Sequence, residues 1–400
     1  MKDNNKVVLA FSGGLDTSYC VKYLKLEKEL SVHAAIVNTG GFDKEELDDI
    51  KDRAYQLGAD EFTVLEETEN FYTNCLKYLI FGNILRNNTY PLSVSAERVF
   101  QAIALVNYAK KINAGFIAHG STGAGNDQVR FDLVFQILAP EIEIITPIRD
   151  QKLSRKAEID YLAAHGAAQD WEKAKYSINK GLWGTSVGGD ETLTSHLALP
   201  EKAFPTQLKN TEPQQVKIKF KQGELCGLND RELSPVDIIQ QLEQIAQPYA
   251  IGRDIHVGDT ILGIKGRVGF EAAASLIIIK AHHSLEKHVL GKWQQYWKEQ
   301  LANWYGMMVH EGQFLDPVMR NIESFLQDSQ ANVEGTVYID LAPYRFQIAG
   351  IKSKYDLMQS DFGQYGEMNN AWTAEDVKGF TKILANQTKI YQHVNHLPYD

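Results

Sequence analysis

Val7-Val8-Leu9-Ala10-Phe11-Ser12-Gly13-Gly14-Leu15-Asp16-Thr17-Ser18 is the stretch that decides the fold. Val7 to Phe11 is an apolar run of strand character. Two glycines and three hydroxyls follow, and then Val21, Leu24 and Leu26 give a helix its apolar side. A strand that turns through glycine into a helix aims backbone N–H groups and the positive helix end at an anion. Glycine lets the backbone approach a phosphate closely. Ser12, Thr17 and Ser18 add hydroxyl donors, and Asp16 offers a carboxylate to Mg²⁺ or to an oriented donor. No Lys follows the glycines, so this is not the G-x-x-x-x-G-K-[ST] loop, whose proteins work at the β–γ bond of a nucleotide. A different cleavage is implied. The bland alternative, a strand-to-helix turn capped by Ser or Asp, leaves the clustering of hydroxyls and glycines unexplained.

Outward from this stretch, strand and helix patterns alternate. Ser31 to Val37 and Glu61 to Leu65 read as strands. Asp43 to Leu57 reads as a helix with Leu47, Ile50, Ala54 and Leu57 on one face and acids in its first turn. Glu97 to Lys111 and Ser154 to His165 read as further helices, and Phe116 to Ala118 and Ile142 to Thr146 as short buried strands. Such alternation predicts a doubly wound parallel sheet covered by helices, Rossmann-like in class. A second loop, His119-Gly120-Ser121-Thr122-Gly123-Ala124-Gly125-Asn126-Asp127, follows the strand at Phe116 and leads into Gln128-Val129-Arg130. Ligands of open parallel sheets bind beyond the carboxyl ends of strands, where strand order reverses. If the first strand neighbours the one at Phe116, both loops flank one crevice.

The pattern changes after about residue 166. Tyr176 to Gly189 has no clear period. Val216 to Phe220 alternates as a half-exposed strand, and Ser234-Pro235 starts a helix with Ser as cap and Pro in the first turn. Ala272 to Trp304 reads as mostly helical, Gly335 to Ile339 and Tyr344 to Ile348 as an antiparallel pair, and Ala374 to Val394 as an amphipathic helix. The expected organisation is a nucleotide-binding domain over 1–165, an α+β domain over 166–360 and a C-terminal helix over 361–400.

Composition narrows the function classes. The chain has 400 residues, 44% hydrophobic and 23% charged, which is globular in character. Its net charge of −10 argues against nucleic acid as a partner. Cys20, Cys75 and Cys226 are far apart, with neither a disulfide framework nor zinc-ligand spacing. No leader-like or membrane-length segment is legible, so a cytoplasmic location is expected and the N-x-T runs at Asn87 and Asn386 read as chance matches. His282, His283 and His288 read as helix histidines, not metal ligands, and no resident metal is expected.

Ser12 to Ser18 resembles the PP-loop of N-type ATP pyrophosphatases, which split ATP between the α and β phosphates. The second loop, from Asn126 to Phe131, is similar to that of the argininosuccinate synthases. So are Tyr90-Pro91-Leu92 with Ser95, Tyr176-Ser177-Ile178 with Leu182-Trp183-Gly184 and Ser186, and Glu232-Leu233-Ser234-Pro235. The resemblance covers nearly the whole chain. It implies a C–N bond-forming ligase of arginine biosynthesis that joins citrulline and aspartate, with ATP as co-substrate and Mg²⁺, through a citrulline adenylate. It also implies a homotetramer. Carried over by position, Ala10, Phe11, Ser12, Gly13, Gly14, Leu15, Asp16, Thr17, Ser18, Val37 and Gly120 are expected at ATP. Thr122, Asn126 and Asp127 are expected at aspartate, and Tyr90, Ser95, Asn126, Arg130, Ser177 and Ser186 at citrulline. Asp16, Ser12 and Asp127 are the catalytic candidates.

The chain departs from that family pattern in places. Ala124 stands where Lys is frequent, and Asn179-Lys180-Gly181 where Asp-Glu-Asn is common. Gly258 and Phe270 replace a Glu and a Tyr expected at citrulline, so Asp259 and Glu271 become the nearest candidate substitutes. Two other readings compete. A tRNA thiolase of the PP-loop group would call for catalytic cysteines and a basic RNA-binding surface. A catalytically silent nucleotide- and amino-acid-binding protein would explain Gly258 and Phe270.

Overall fold

The computed structural model describes residues 5–167, 171, 176–359, 362, 365, 366 and 371–397. Its first part runs β1 (Lys6–Ala10), α1 (Leu15–Leu26), β2 (Ser31–Asn38), α2 (Lys44–Leu57) and β3 (Glu61–Glu66). Then come α3 (Thr68–Phe71), α4 (Lys77–Phe81), α5 (Glu97–Lys111), β4 (Phe116–His119), α6 (Asp127–Leu138), β5 (Glu143–Ile145), α7 (Pro147–Asp150) and α8 (Arg155–Ala164). The strands form one sheet in the order β3-β2-β1-β4-β5, and every pairing is parallel. The doubly wound α/β class expected from the alternation is what forms.

Local chemistry explains the element starts. Asp43 accepts from the Glu46 N–H while the Glu46 side chain reaches back to the Asp43 N–H, a reciprocal cap for α2. The Ser154 hydroxyl caps α8 through the Ala157 N–H. Val7, Val8 and Leu9 are fully buried, as a central parallel strand covered on both faces requires. Leu9, Val21, Leu24, Val32, Ala34 and Leu162 share one core. That core fixes α1 and α8 against β1 and β2.

The strand order reverses between β1 and β4. Val7 to Ala10 pair with Phe116 to His119. The loops after these two strands therefore leave the same sheet edge side by side, as the crevice at a switch point requires.

The second part has two antiparallel sheets. In chain order it carries β6 (Ser177–Gly181), β7 (Gly184–Gly188), β8 (Gln214–Lys221), β9 (Glu224–Leu228), β10 (Arg231–Glu232), α9 (Pro235–Ala246), β11 (Arg253–Asp259) and β12 (Lys265–Glu271). It continues with α10 (Ala273–Val289), α11 (Lys292–His310), α12 (Pro317–Ser329), β13 (Gly335–Ala342) and β14 (Arg345–Lys352). The sheets are ordered β11-β12-β7-β6 and β10-β9-β8-β13-β14. The stretch without clear period, Tyr176 to Gly189, holds the hairpin β6–β7. Residues 177–180 are all exposed and 184–187 all buried, so neither strand alternates. The long helical stretch from Ala272 breaks at Leu290 and Gly291 into α10 and α11.

The chain divides into two compact units, Met1–Ser353 and Lys354–Asp400. The second contains α13 (Ala374–Leu384), capped reciprocally by Thr373 and Asp376, and α14 (Asn386–Val394). The single helix expected over 374–394 is thus two that meet at Ala385. Among the described residues, no helix is long and apolar enough to cross a membrane.

Candidate active site at the switch point

Gly13 adopts φ +75°, a left-handed conformation that favours glycine, and its carbonyl accepts a hydrogen bond from Arg53 Nη1 at 2.6 Å. Gly14 is the extended N-cap of α1. The Ser12 N–H points to Thr17 Oγ1, which donates to the Gly14 carbonyl at 3.2 Å, and the Ser18 N–H returns to the same carbonyl at 2.9 Å. The turn is thereby wound tight around the start of a twelve-residue helix. Ser12 and Gly14 are exposed, Asp16 and Thr17 half-buried, and the Ser18 hydroxyl is buried without a partner. Phe11 and Leu15 place their side chains in the core, which leaves only their backbone available to a ligand. Ala10 and Val37 sit at or near the carboxyl ends of β1 and β2.

The second loop meets the first. A Cβ placed on Gly120 would stand 3.2 Å from the Asp16 carbonyl carbon and 3.3 Å from Thr17 Cγ2. Glycine here is what lets the two loops touch. His119 holds the loop's base: its Nε2 lies 2.9 Å from Asp132 Oδ1, and its Nδ1 accepts from the Ser121 N–H. Arg149 closes on the other Asp132 oxygen at 2.6 Å. Together they hold the Asp132 carboxyl below its usual range against the opposing effect of burial. Thr122 is exposed in the loop. Asn126 Oδ1 already accepts the Ile261 N–H at 2.9 Å, which ties the loop to the turn between β11 and β12.

Behind Asn126 runs a chain of charges. Thr39 donates to Glu97, Glu97 pairs with Arg98, and Arg98 Nε pairs with Asp127 Oδ2 at 3.0 Å. Arg130 Nη1 pairs with Asp127 Oδ1 at 2.7 Å, and Arg130 Nε donates to the His310 carbonyl at 2.8 Å. Burial pushes the Asp127 carboxyl up, but Arg98 and Arg130 outweigh it and hold it below the usual range. Burial wins at Glu97, which is raised despite Arg98. Arg98 was not among the expected site residues; its place directly after Glu97 in the first turn of α5 was the available signal.

Of the residues expected at citrulline, Tyr90 and Ser186 are linked through Phe270. The Tyr90 ring stacks on His256 at 5.1 Å between centroids and tilts against Phe270 at 5.4 Å. Phe270 pairs across the sheet with Ser186. Ser95 Oγ and Arg130 Nη2 are buried without partners, so each carries a desolvation cost that a ligand atom or water can relieve. Ser177 is exposed at the start of β6, opposite Gly188.

Both acids expected near Gly258 have cationic partners in the fold. Glu271 is buried and ion-paired with Arg253 at 2.7 Å, and it also accepts the Thr206 hydroxyl. Asp259 is exposed and paired with Lys265 at 2.6 Å. Phe270 is fully buried as a packing residue.

On the nucleotide side, Glu158 of α8 stands by Asp16. Burial, then the charge of Asp16 and a hydrogen bond to it, push its carboxyl up to about 8. Among the described residues, no group of three or more His, Cys, Asp or Glu is arranged to hold a metal ion.

The sheet order, the glycine turn at its switch point and the second loop against it define a nucleotide-binding α/β protein. The family model described as the arginosuccinate synthase N-terminal HUP domain matches residues 6–168, and that of the arginosuccinate synthase C-terminal domain matches 176–391. The chain is 37% identical to the argininosuccinate synthase of Dictyoglomus turgidum, over 97% of this chain and 98% of that one. It is 34% identical to that of Xylella fastidiosa, over 98% of both. It is 33% identical to that of Sulfurisphaera tokodaii, over 97% of this chain and 99% of that one. The chain belongs to the argininosuccinate synthase family.

Proposed function

We propose that this chain is a ligase that condenses citrulline with aspartate in arginine biosynthesis, consuming ATP and releasing AMP and pyrophosphate. The observation that carries the reading is the approach of Gly120 to the Asp16 backbone. It joins an anion-binding turn without a Walker lysine to a loop bearing Thr122, Asn126 and Asp127.

The ureido oxygen of citrulline attacks the α-phosphorus of ATP, and pyrophosphate leaves. The aspartate amine then attacks the ureido carbon, and AMP leaves. Ser12 to Ser18 surround the leaving pyrophosphate, where backbone N–H groups and hydroxyls oppose the charge that builds. Asp16 and the hydroxyls of Ser12 and Thr17 are hard oxygen donors of the kind Mg²⁺ accepts beside phosphate oxygens. The ion would supply further charge neutralisation at the leaving group. Arg130 grips a carboxylate with its remaining Nη2, and Ser95 adds a hydroxyl. Asn126 uses its amide to position the amino acids, and Thr122 contacts aspartate. Asp127 orients Arg98 and Arg130 toward them.

The three cysteines are free and fit a cytoplasmic setting. A homotetramer follows from the family resemblance. The apolar residues Val377, Phe380, Ile383 and Leu384 of α13, exposed at helical spacing, fit an intersubunit role for the terminal helices.

The test is pyrophosphate release from ATP, Mg²⁺, citrulline and aspartate. Release that requires both amino acids for full turnover is expected. ATP binding without turnover would favour the silent binding protein, and turnover only with added tRNA would favour a thiolase.

A further inference from the structure

We infer that His256 reads the α-amino group of the ureido amino acid, taking the place of a carboxylate as hydrogen-bond acceptor. The inference rests on the ligase reading above and names a specificity-determining residue within it.

Three observations converge on this imidazole. It is 5% exposed, yet its Nδ1 has no hydrogen-bond partner. Such an atom carries a desolvation cost unless water or a ligand satisfies it. The ring stacks on Tyr90, whose wall also carries Phe270 and, across the sheet, Ser186. It also fills the space a side chain at position 258 would need: a Cβ on Gly258 would stand 2.6 Å from His256 Nε2. A longer residue there would displace the ring, so Gly258 and His256 act as a pair.

Charge makes the imidazole the suitable acceptor. An ammonium entering this wall needs an acceptor, and the nearby acids already have cationic partners. Asp259 pairs with Lys265, Glu271 with Arg253, and Asp127 with Arg98 and Arg130. Burial and the positive charge of Arg86 lower the pKa of His256 and favour its neutral form. A neutral imidazole has one ring nitrogen with a free lone pair, which an ammonium N–H can meet. The ligand's carboxylate is left to Arg130 Nη2 and Ser95 Oγ, both buried and unpartnered.

The test compares citrulline with 5-ureidopentanoate, the same molecule without its α-amino group. Pyrophosphate release is measured for the wild-type protein, His256→Ala and His256→Gln. His256→Ala is expected to lower kcat/KM for citrulline by about tenfold, mainly through KM, and to leave 5-ureidopentanoate within about twofold. His256→Gln, whose amide oxygen can accept, is expected to restore most of the loss. Equal losses on both substrates would show that the ring only packs against Tyr90 and would overturn the assignment. So would an unchanged citrulline KM in His256→Ala, or a preference of the wild-type protein for Nα-acetylcitrulline. Wild-type protein that releases no pyrophosphate with citrulline would overturn the ligase reading itself, a result distinct from these.

Discussion

Arg130 and Asp127 form an ion pair one turn apart on α6, with Arg130 Nη1 2.7 Å from Asp127 Oδ1. The other oxygen of Asp127 faces Arg98 of α5. One carboxylate therefore sets the orientation of two guanidiniums, and Arg130, donating to the His310 carbonyl, links α6 to the end of α11. The carboxylate is partly exposed, so its stability contribution is less than that of a dry pair. Its larger effect is geometric.

Asp127→Asn keeps the shape but removes the charge between the two guanidiniums. The expected result is a fall in kcat/KM for both amino acids on the order of 10–100-fold, with the KM for ATP within about twofold. Steady-state kinetics with each substrate varied in turn checks this. An equal rise in the KM for ATP would show that the pair supports the whole crevice.

The two loops are expected to divide their work. Asp16 stands in the turn assigned to pyrophosphate, and Thr122 is exposed in the loop assigned to aspartate. Asp16→Ala should lower kcat by about 100-fold or more while the KM for aspartate changes little, since charge at the leaving group builds only in the transition state. Thr122→Ala should raise the KM for aspartate by about five- to tenfold, as expected for one lost hydrogen bond. Parallel changes in both constants for both variants would remove this division.

Much of the nucleotide half was legible because its signals are local. The glycine turn, the apolar strand before it and the acids in the first turn of α2 each lie within a few residues of the element they specify. The pairing of β1 with β4 was legible as a condition on which the crevice depends, and it holds. The second half was harder to read. Periodicity detects half-buried strands, but β6 is exposed and β7 buried through most of its length, so neither carries the signal. The contact between Asn126 and Ile261 spans 135 positions, and no local pattern announces it. Glu271 and Asp259 are near Gly258 in sequence, and only the fold shows that they pair with Arg253 and Lys265. His256 is found only once the ring of Tyr90 is seen against it.

Glu158 is expected to give the activity a basic limb. Its folded pKa of about 8 lies above its ordinary value of 4.5 because of burial and then the adjacent Asp16 carboxylate. Between those values the folded protein binds a proton that the unfolded chain releases. Stability therefore falls as pH rises from about 4.5 through 8. Above about 8 the new charge at Glu158 would also oppose the pyrophosphate proposed at the Asp16 turn. The expected profile of kcat/KM for ATP declines on that limb. Glu158→Gln should flatten it and leave the rate at pH 7 within about threefold, because the amide mimics the protonated acid. A limb unchanged in Glu158→Gln would assign the decline to another group.

Gly120→Ala tests the contact between the loops most directly. The added methyl would stand 3.2 Å from the Asp16 carbonyl carbon, and 3.3 Å from both Asp16 Cβ and Thr17 Cγ2. The neighbours must shift by a few tenths of an ångström, and two of them belong to the backbone and side chain of Asp16 itself. Overpacking of this kind costs about 1–3 kcal/mol when the surroundings are rigid. At this site the loops can separate instead, since the second loop is exposed from Thr122 to Gly125. The expected outcome is thus a small loss in Tm and a large loss in turnover, with kcat down by at least about tenfold. Thermal unfolding and pyrophosphate release measured on the same preparation check both parts. A variant that loses several kcal/mol of stability but retains turnover in its folded fraction would show that the contact serves folding rather than alignment of the two loops.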